Sequence, residues 1–295
     1  RLGNKEEVNE PTNWEKANPS LRYLPNLEEE VSKEYKDWLA NPNQFTAFMT
    51  KRMNLPEGNK DVQVTDWENI LATNKPIPDL TGRDCTVGID YASISDMCSV
   101  NFHFKDGDIR YDISHAWLCL KSADLARIKA PWREWAKDGL ITLVDDVEIS
   151  PDLITNYIQE LGTKYNILGL ALDNYRYALL ANSLRKIGFD AKEYKNVHMV
   201  RPSDVMKAAP VVGSYFVNQS FIWGDNPPLR WATNNTKLVR AGKIQGTDTG
   251  NYYYAKVEGK SRKTDSFLAL VASIVIEEKM EDGEAPIADM PIFTY

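Results

Sequence analysis

Three aspartates stand where a folded chain can bring acids together. Asp90 ends the apolar run Val87-Gly88-Ile89, and Asp173 ends a longer one, Leu168-Gly169-Leu170-Ala171-Leu172. Asp265 opens the strongly apolar stretch Ser266-Phe267-Leu268-Ala269-Leu270. Neighbouring strand ends converge at one edge of a mixed sheet, and a helix laid across that edge can deliver a third carboxylate. Carboxylate oxygens are the ligands that hard divalent cations such as Mg²⁺ prefer. Two such ions about 3.5–4 Å apart can activate water and stabilise a leaving oxygen in phosphoryl transfer. Without a cation, three gathered carboxylates would repel one another. Taken singly, each acid also has an ordinary reading: a strand-end Asp is a common turn residue, and Asp265 suits the first turn of a helix. Asp96, at the return into the next strand, is a weaker fourth candidate.

The elements that would position these acids follow from periodicity and punctuation. Cys85–Ile89, Ser99–Phe104 and Ile109–Trp117 read as three successive antiparallel strands, with Asp106-Gly107 turning the second into the third. Helix and strand then alternate. Helices are expected over Ser122–Lys137, Pro151–Lys164 (capped by Ser150), Tyr175–Ile187 and Ser203–Asn218. Strands are expected at Ile141–Val144, Ile167–Leu172 and Ala191–Tyr194. Residues 224–263 read as loop and β-ribbon, with strands at Lys237–Arg240 and Tyr252–Val257, and Thr264–Glu278 as a helix. Upstream, Leu27–Asn41 reads as a helix stopped by Pro42, a short helix is expected over residues 43–54, and residues 55–80 read as a linker. The fold class is therefore α/β: three antiparallel strands, then parallel ones, flanked by helices. Residues 1–80 form one region, 81–280 the main domain and 281–295 an acidic tail.

Composition narrows the function. The chain has 295 residues, 43% hydrophobic and 26% charged, enough for a sizeable core. No apolar run approaches the ~18 residues a membrane span needs. Three cysteines without a CxxC pair, and three histidines, argue against a disulfide framework or a structural zinc site. His103 and His115, one on each hairpin strand, read as structural, and Trp132 and Trp135 as core or interface. At least one of Tyr252, Tyr253 and Tyr254 is expected to serve packing. The net charge of −7 hides a polarity: residues 81–173 carry 9 basic and 15 acidic side chains, and residues 174–265 carry 15 and 7. A basic surface beside a carboxylate-rich site suits an enzyme acting on phosphodiesters.

At this point the residues resemble a family. Val87-Gly88-Ile89-Asp90-Tyr91-Ala92-Ser93 with Asp96, Ala171-Leu172-Asp173-Asn174-Tyr175-Arg176, and Gly259-Lys260-Ser261-Arg262-Lys263-Thr264-Asp265 are similar to motifs of the large terminase subunits of tailed bacteriophages. So is Asp225-Asn226-Pro227-Pro228-Leu229-Arg230-Trp231 with Asn235. Trp14–Leu21 and Phe48–Asn54 resemble the segment joining that family's ATPase and nuclease domains. The resemblance implies a ribonuclease H-like endonuclease that cuts concatemeric genome DNA, with Asp90, Asp173 and Asp265 as ligands of two Mg²⁺ or Mn²⁺ ions and Asp96 as a weaker ligand. It implies that Lys260, Arg262, Lys263 and Arg176 contact DNA and that Asn235 supports the site. It also implies double-stranded DNA as substrate, portal and small terminase subunit as partners in the full-length protein, no membrane, oligomers only in the assembled motor, and work in the bacterial host cytoplasm at the procapsid. No Gly-x-x-x-x-Gly-Lys-Ser/Thr stretch occurs, so no ATPase activity is expected of this chain. The absence of an initial methionine suits a piece of a longer protein.

Rival readings are a polynucleotidyl transferase of transposase or resolvase type, and a docking module for portal or capsid with a silent acidic site. An actin-like nucleotide-binding fold is a poorer match, because no second Gly-rich phosphate loop is present.

Overall fold

The computed structural model describes residues 2, 6–40, 48–54, 63–92, 97–122, 124–240, 243–244, 247–248, 251–257 and 261–280. The chain divides into two compact units, Arg1–Gln63 and Val64–Tyr295. Residues 64–80 fall in the second unit because Val64, Ile70 and Leu80 bury in its cores. In the first unit, helix α1 (Pro25–Ala40) follows short 3₁₀ turns. Its Leu27, Val31, Tyr35 and Trp38 recur at helical spacing and so form one stripe. That stripe packs with Trp14, Met49 and Met53. The Trp14 indole N–H donates to the Val8 carbonyl at 2.8 Å.

In the second unit, β1 (Asp84–Asp90), β2 (Met97–Asp106) and β3 (Ile109–Cys119) form the expected antiparallel meander. To these are added β4 (Ile141–Val144), β5 (Asn166–Asp173), β6 (Val197–Val200) and the two-residue β7 (Phe221–Ile222). The described residues thus make a seven-stranded sheet in the order β4-β3-β2-β1-β5-β6, with β7 beside β3. β1 with β5, β5 with β6, and β3 with β4 pair parallel. The helices are α2 (Trp67–Leu71), α3 (Trp132–Lys137), α4 (Pro151–Gly162), α5 (Asn174–Lys186), α6 (Pro202–Val217), α7 (Pro227–Asn234) and α8 (Asp265–Val275). β8 (Thr236–Arg240) pairs with β11 (Tyr252–Lys256), and β9 (Lys243–Ile244) with β10 (Thr247–Asp248).

Successive strand residues point to opposite faces, and the two faces differ in chemistry. Val87, Ile89, Val100, Phe102, Leu170 and Leu172 build an apolar core with Ile154 and Ile158 of α4 and Leu180 and Leu184 of α5. Thr86, Gly88, Asn101, His103 and Asp112 alternate onto the other face, which α8 covers. Gly88 lets α8 lie flush on the sheet. A Cβ there would stand 1.9 Å from the Ala269 carbonyl oxygen and 2.4 Å from the Ser273 nitrogen.

Four sequence expectations change. Ala191–Tyr194 is a turn, and the strand falls at Val197–Val200. The Asp190 carboxylate accepts the backbone N–H groups of Lys192 (2.7 Å) and Glu193 (2.8 Å), which closes the turn. The helix expected over Ser122–Lys137 is broken into a 3₁₀ turn, Leu125–Arg127, and α3. Pro131 lies between them, and it disfavours helical backbone in the residue before it. α7 stands where loop was expected, although its signals were present: the Asn226 side chain accepts from the Leu229 N–H at 3.0 Å, and Pro227 starts the helix. α2 lies inside the expected linker. The acidic tail 281–295 lies outside the described residues. Among the described residues, no helix is long and apolar enough to cross a membrane.

Candidate active site

The register of β1, β5 and α8 decides where the three aspartates go. Thr86 is paired with Gly169, and Gly88 with Ala171, so Asp90 and Asp173 end adjacent parallel strands on the same face. Thr86 Oγ1 donates to the Ser273 carbonyl at 2.9 Å, and Gly88 lies under Ala269. Two residues along a strand advance about 6.6 Å, and four along a helix about 6 Å. α8 therefore runs antiparallel to β1 with matched pitch, in the direction that carries its first residue, Asp265, toward the end of β1 where Asp90 stands. One side-chain bond agrees: Ser99, the cross-strand partner of Asp90, donates to Ser266 Oγ at 3.1 Å. Asp90 and Asp173 thus share one face and one edge of the sheet, and Asp265 opens the helix packed over that face.

Each acid is held differently. Asp90 is half-buried, and the chain after it is anchored by buried Tyr91, whose hydroxyl donates to the Ile149 carbonyl at 2.6 Å. Asp173 is exposed and caps α5, its Oδ1 accepting the Tyr175 N–H at 2.8 Å. Asp265 is buried, 5% exposed, as are Thr264 and Ser266 around it. The donors are all oxygen, which suits a hard divalent cation rather than zinc. Among the described residues, no group of three or more His, Cys, Asp or Glu side chains closes up tightly enough to hold a metal ion as it stands.

The remaining candidates separate. Asp96 and Lys260 lie outside the described residues. Arg262 is exposed, with a guanidinium N–H 3.4 Å from Asn235 Oδ1. Arg176 is half-buried on the first turn of α5, 5.8 Å from the ring centre of Tyr175, itself 80% exposed. Asn235 is fully buried, and its amide donates to the Lys263 carbonyl at 3.0 Å, fastening the segment that leads to Asp265. Lys263 is buried, with Nζ 3.7 Å from Asp124 Oδ2. Sequence reasoning passed over Asp124, which sits in a stretch read as helix interior with no motif around it. Tyr254 packs edge-on against Phe267 at 5.0 Å, a packing role as expected. Trp132 and Trp135 are core residues, the latter against Trp231 at 5.7 Å.

At the far end of α8 lies a second polar cluster. Asp112 accepts from Asn101 (2.9 Å), from the Trp223 indole (3.0 Å) and from the His103 imidazole (2.8 Å). The other imidazole nitrogen meets Glu277 at 3.0 Å, and Glu277 also binds Arg110 and the Tyr215 hydroxyl. Burial alone would push His103 down, but Asp112 and Glu277 outweigh it and raise its pKa to about 9. Burial would likewise raise Glu277, but His103 and Arg110 hold it down at about 2. His115, by contrast, is pushed down to about 4 by burial; it stacks on Tyr157 at 5.0 Å. Both hairpin histidines sit in structural surroundings.

Comparison with known proteins bears on the whole arrangement. The family model for the terminase large subunit, endonuclease domain, matches residues 1–275. No curated protein matches the chain. Among solved structures, the large terminase of bacteriophage HK97 is similar, with 18% identity and a TM-score of 0.60 over 92% of this chain and 54% of that one. This chain therefore spans about half the length of that protein. The large terminase nuclease of thermophilic phage G20c matches at 9% identity and a TM-score of 0.46, over 75% of this chain and 100% of that one. The same nuclease with bound magnesium matches at 9% identity and a TM-score of 0.45, over 72% of this chain and 96% of that one. The mixed sheet is thus of the terminase nuclease, ribonuclease H-like kind, and this chain is a member of the terminase large subunit endonuclease-domain family.

Proposed function

We propose that this chain is a divalent-cation-dependent DNA endonuclease that hydrolyses phosphodiester bonds of double-stranded genome DNA for a viral packaging motor. The observation that supports the reading is that Asp90 and Asp173 end adjacent parallel strands on one face, and that α8 packs on that face in the direction that carries Asp265 toward them. Those three would hold two Mg²⁺ or Mn²⁺ ions, with Asp96 as a further acid. Such ions, when bound, supply an acidified water and stabilisation of the charge that develops on phosphate. The chain's own residues position and shield the site. α8 keeps Asp265 in a buried, pre-oriented place, the Asp173 cap ties that carboxylate to the first turn of α5, and Tyr91 holds the end of β1 by its bond to Ile149. Arg262 and Arg176, with Lys260, would contact backbone phosphates, giving salt-dependent affinity with little sequence preference. In the full-length protein the partners would be portal and small terminase subunit, in the bacterial host cytoplasm at the procapsid. ATP hydrolysis is assigned to a part of the protein other than this chain.

Plasmid cleavage tests the reading, with EDTA, Mg²⁺ and Mn²⁺ side by side, for the wild type and Asp173→Asn. Nicking or linearisation that needs the metal and disappears in the variant supports it. Cleavage that survives EDTA or the substitution overturns the assignment of the site. Absence of cleavage both by this chain and by the full-length protein overturns the nuclease reading.

A further inference from the structure

Two helices share the apolar face of the sheet, and their solvent sides carry opposite chemistry. α4 exposes Asp152 and Glu160 and contains no Lys or Arg. α5 contains Arg176, Arg185 and Lys186 and no Asp or Glu, in a chain whose net charge is −7. Its exposed Tyr175, Ala178, Leu179, Asn182 and Lys186 recur at three- and four-residue spacing and so form one stripe. Leu180 and Leu184 of the same helix serve the core, whereas Tyr175 is left 80% exposed and Leu179 46%. The Arg176 guanidinium lies 5.8 Å from the Tyr175 ring centre, and no carboxylate pairs with it among the described residues. Lys186 has a 4.0 Å contact with Asp152, both exposed, and surface pairs of that kind are worth little. Arg185 donates to Asp190 at 2.8 Å and keeps about half its side chain in water. The stripe starts at the candidate site, because the Tyr175 N–H donates to Asp173 Oδ1 at 2.8 Å.

We infer that the exposed face of α5 is the surface along which the DNA strand next to the cut lies, with the Tyr175 ring against a nucleotide and Arg176 and Lys186 toward phosphates. The inference deepens the nuclease reading above and rests on it. Thirteen helical residues extend about 20 Å, the span of about six nucleotides of one strand. A phosphate backbone running past Asp173 would meet repelling carboxylates on α4 and meets none on α5. Tyr175 adds a contact that tolerates any sequence, since every base has a π-face on which a ring can stack. Leu179, one turn further on, extends the apolar part of the stripe. A protein subunit seated on Tyr175 would also cover Asp173, the exposed acid that the substrate has to reach. The face therefore fits the substrate better than a partner subunit.

Fluorescence anisotropy of a labelled DNA duplex with the whole chain, in Ca²⁺ in place of Mg²⁺, tests this. Tyr175→Ala is expected to weaken binding about tenfold, the scale of one lost aromatic contact, and Tyr175→Phe to match the wild type. Ala178→Glu should weaken binding and Ala178→Lys tighten it, each about fivefold, the scale of one charge close to a phosphate in water. Ala178→Lys should also steepen the dependence of log K on log salt by about one. A merely structural role for the face would not give the Ala178 pair opposite signs. If Tyr175→Ala fails to fold, the Ala178 pair carries the test. Affinity unchanged in Tyr175→Ala and Ala178→Glu, shifts of the same sign in the Ala178 pair, or no duplex binding by the wild type overturns the inference. So does unchanged DNA affinity in an Ala178→Glu full-length protein that no longer binds another packaging subunit, which would give the face to a protein. Plasmid cleavage separates the two levels. Metal-dependent cleavage lost in Asp173→Asn keeps the nuclease reading standing whatever α5 does, whereas no cleavage by this chain or the full-length protein removes that reading and this inference with it.

Discussion

Helix α8 has an acid near each end, and the two ends use acid differently. Glu277, just past the C-terminal end, is bonded by an imidazole, a guanidinium and a phenol, and His103 passes the network on to Asp112. At the N-terminal end, Asp265 opens the helix packed over the face on which Asp90 and Asp173 end their strands. In the first cluster each negative charge meets a positive one, so the charges are neutralised within the fold and the cluster holds α8 to the sheet. In the second, acids from three segments approach one edge of the sheet, and among the described residues they do not close into a group that holds a metal ion as it stands. Burial separates the two: His103 and Asp112 are fully buried, whereas Asp90 is half-buried and Asp173 exposed. The first cluster closes its charges among the fold's own side chains, and the second keeps Asp173 open to solvent.

Substitutions can break this contrast. The largest expected effect is from Asp265→Asn: plasmid cleavage falls by about 10³-fold or more, the scale of losing a ligand to a catalytic ion. The melting temperature of that variant should move little, because the substitution keeps the size and shape of the side chain. Glu277→Ala should do the reverse. It leaves Arg110 without its carboxylate and His103 with Asp112 alone, so urea unfolding should show a loss of about 3–5 kcal/mol, while cleavage by the folded fraction is unchanged. Equal effects of the two substitutions on both readouts would sink the comparison.

Gly88→Ala should damage both ends together. The added methyl meets the backbone of Ala269 and Ser273 rather than a side chain that can swing away. A loss of about 3 kcal/mol or more is expected, with cleavage falling as Asp265 moves away from Asp90. A variant that loses stability but keeps full cleavage would show that the α8 register does not position the site. The smallest effect is that of pH on the wild type. His103 has a folded pKa of about 9 against an ordinary 6.5, so its stabilisation is complete below about 6.5 and is lost as pH rises through about 9. Glu277, held at about 2, contributes above about 4.5 and loses its contribution as pH falls through about 2. Denaturant midpoints across pH 6–10 should fall in the wild type and stay flatter in His103→Gln.

Much of the fold was legible because local chemistry and tertiary structure agree. The Asp106-Gly107 turn, the Ser150 cap with Pro151, and the apolar run ending at Asp173 each carry a local signal that the sheet then uses. The misses fall where a side chain redirected the backbone. Asp190 made a turn of Ala191–Tyr194, Pro131 divided a helix, and α7 was hidden in a stretch read as loop despite its Asn226 cap. Of the candidate site, Asp90, Asp173 and Asp265 were visible as residues at element ends. Asp124 was not, because it lies in an irregular segment with no pattern around it.

The sequence by itself determined the three acids at element ends, the order of strands and helices, the polarity of charge along the chain, and the motifs that mark its family. Local residue types and spacing are enough for these, since each depends on a few neighbouring side chains. Only the tertiary structure decided that α8 lies antiparallel on β1 with Gly88 under Ala269, that Lys263 turns inward to Asp124, and that Glu277 finds His103 and Arg110. Those pairings join residues far apart in the chain. They depend on which faces pack and how closely, and Gly88, by admitting the helix backbone to the sheet, is the residue on which that packing turns.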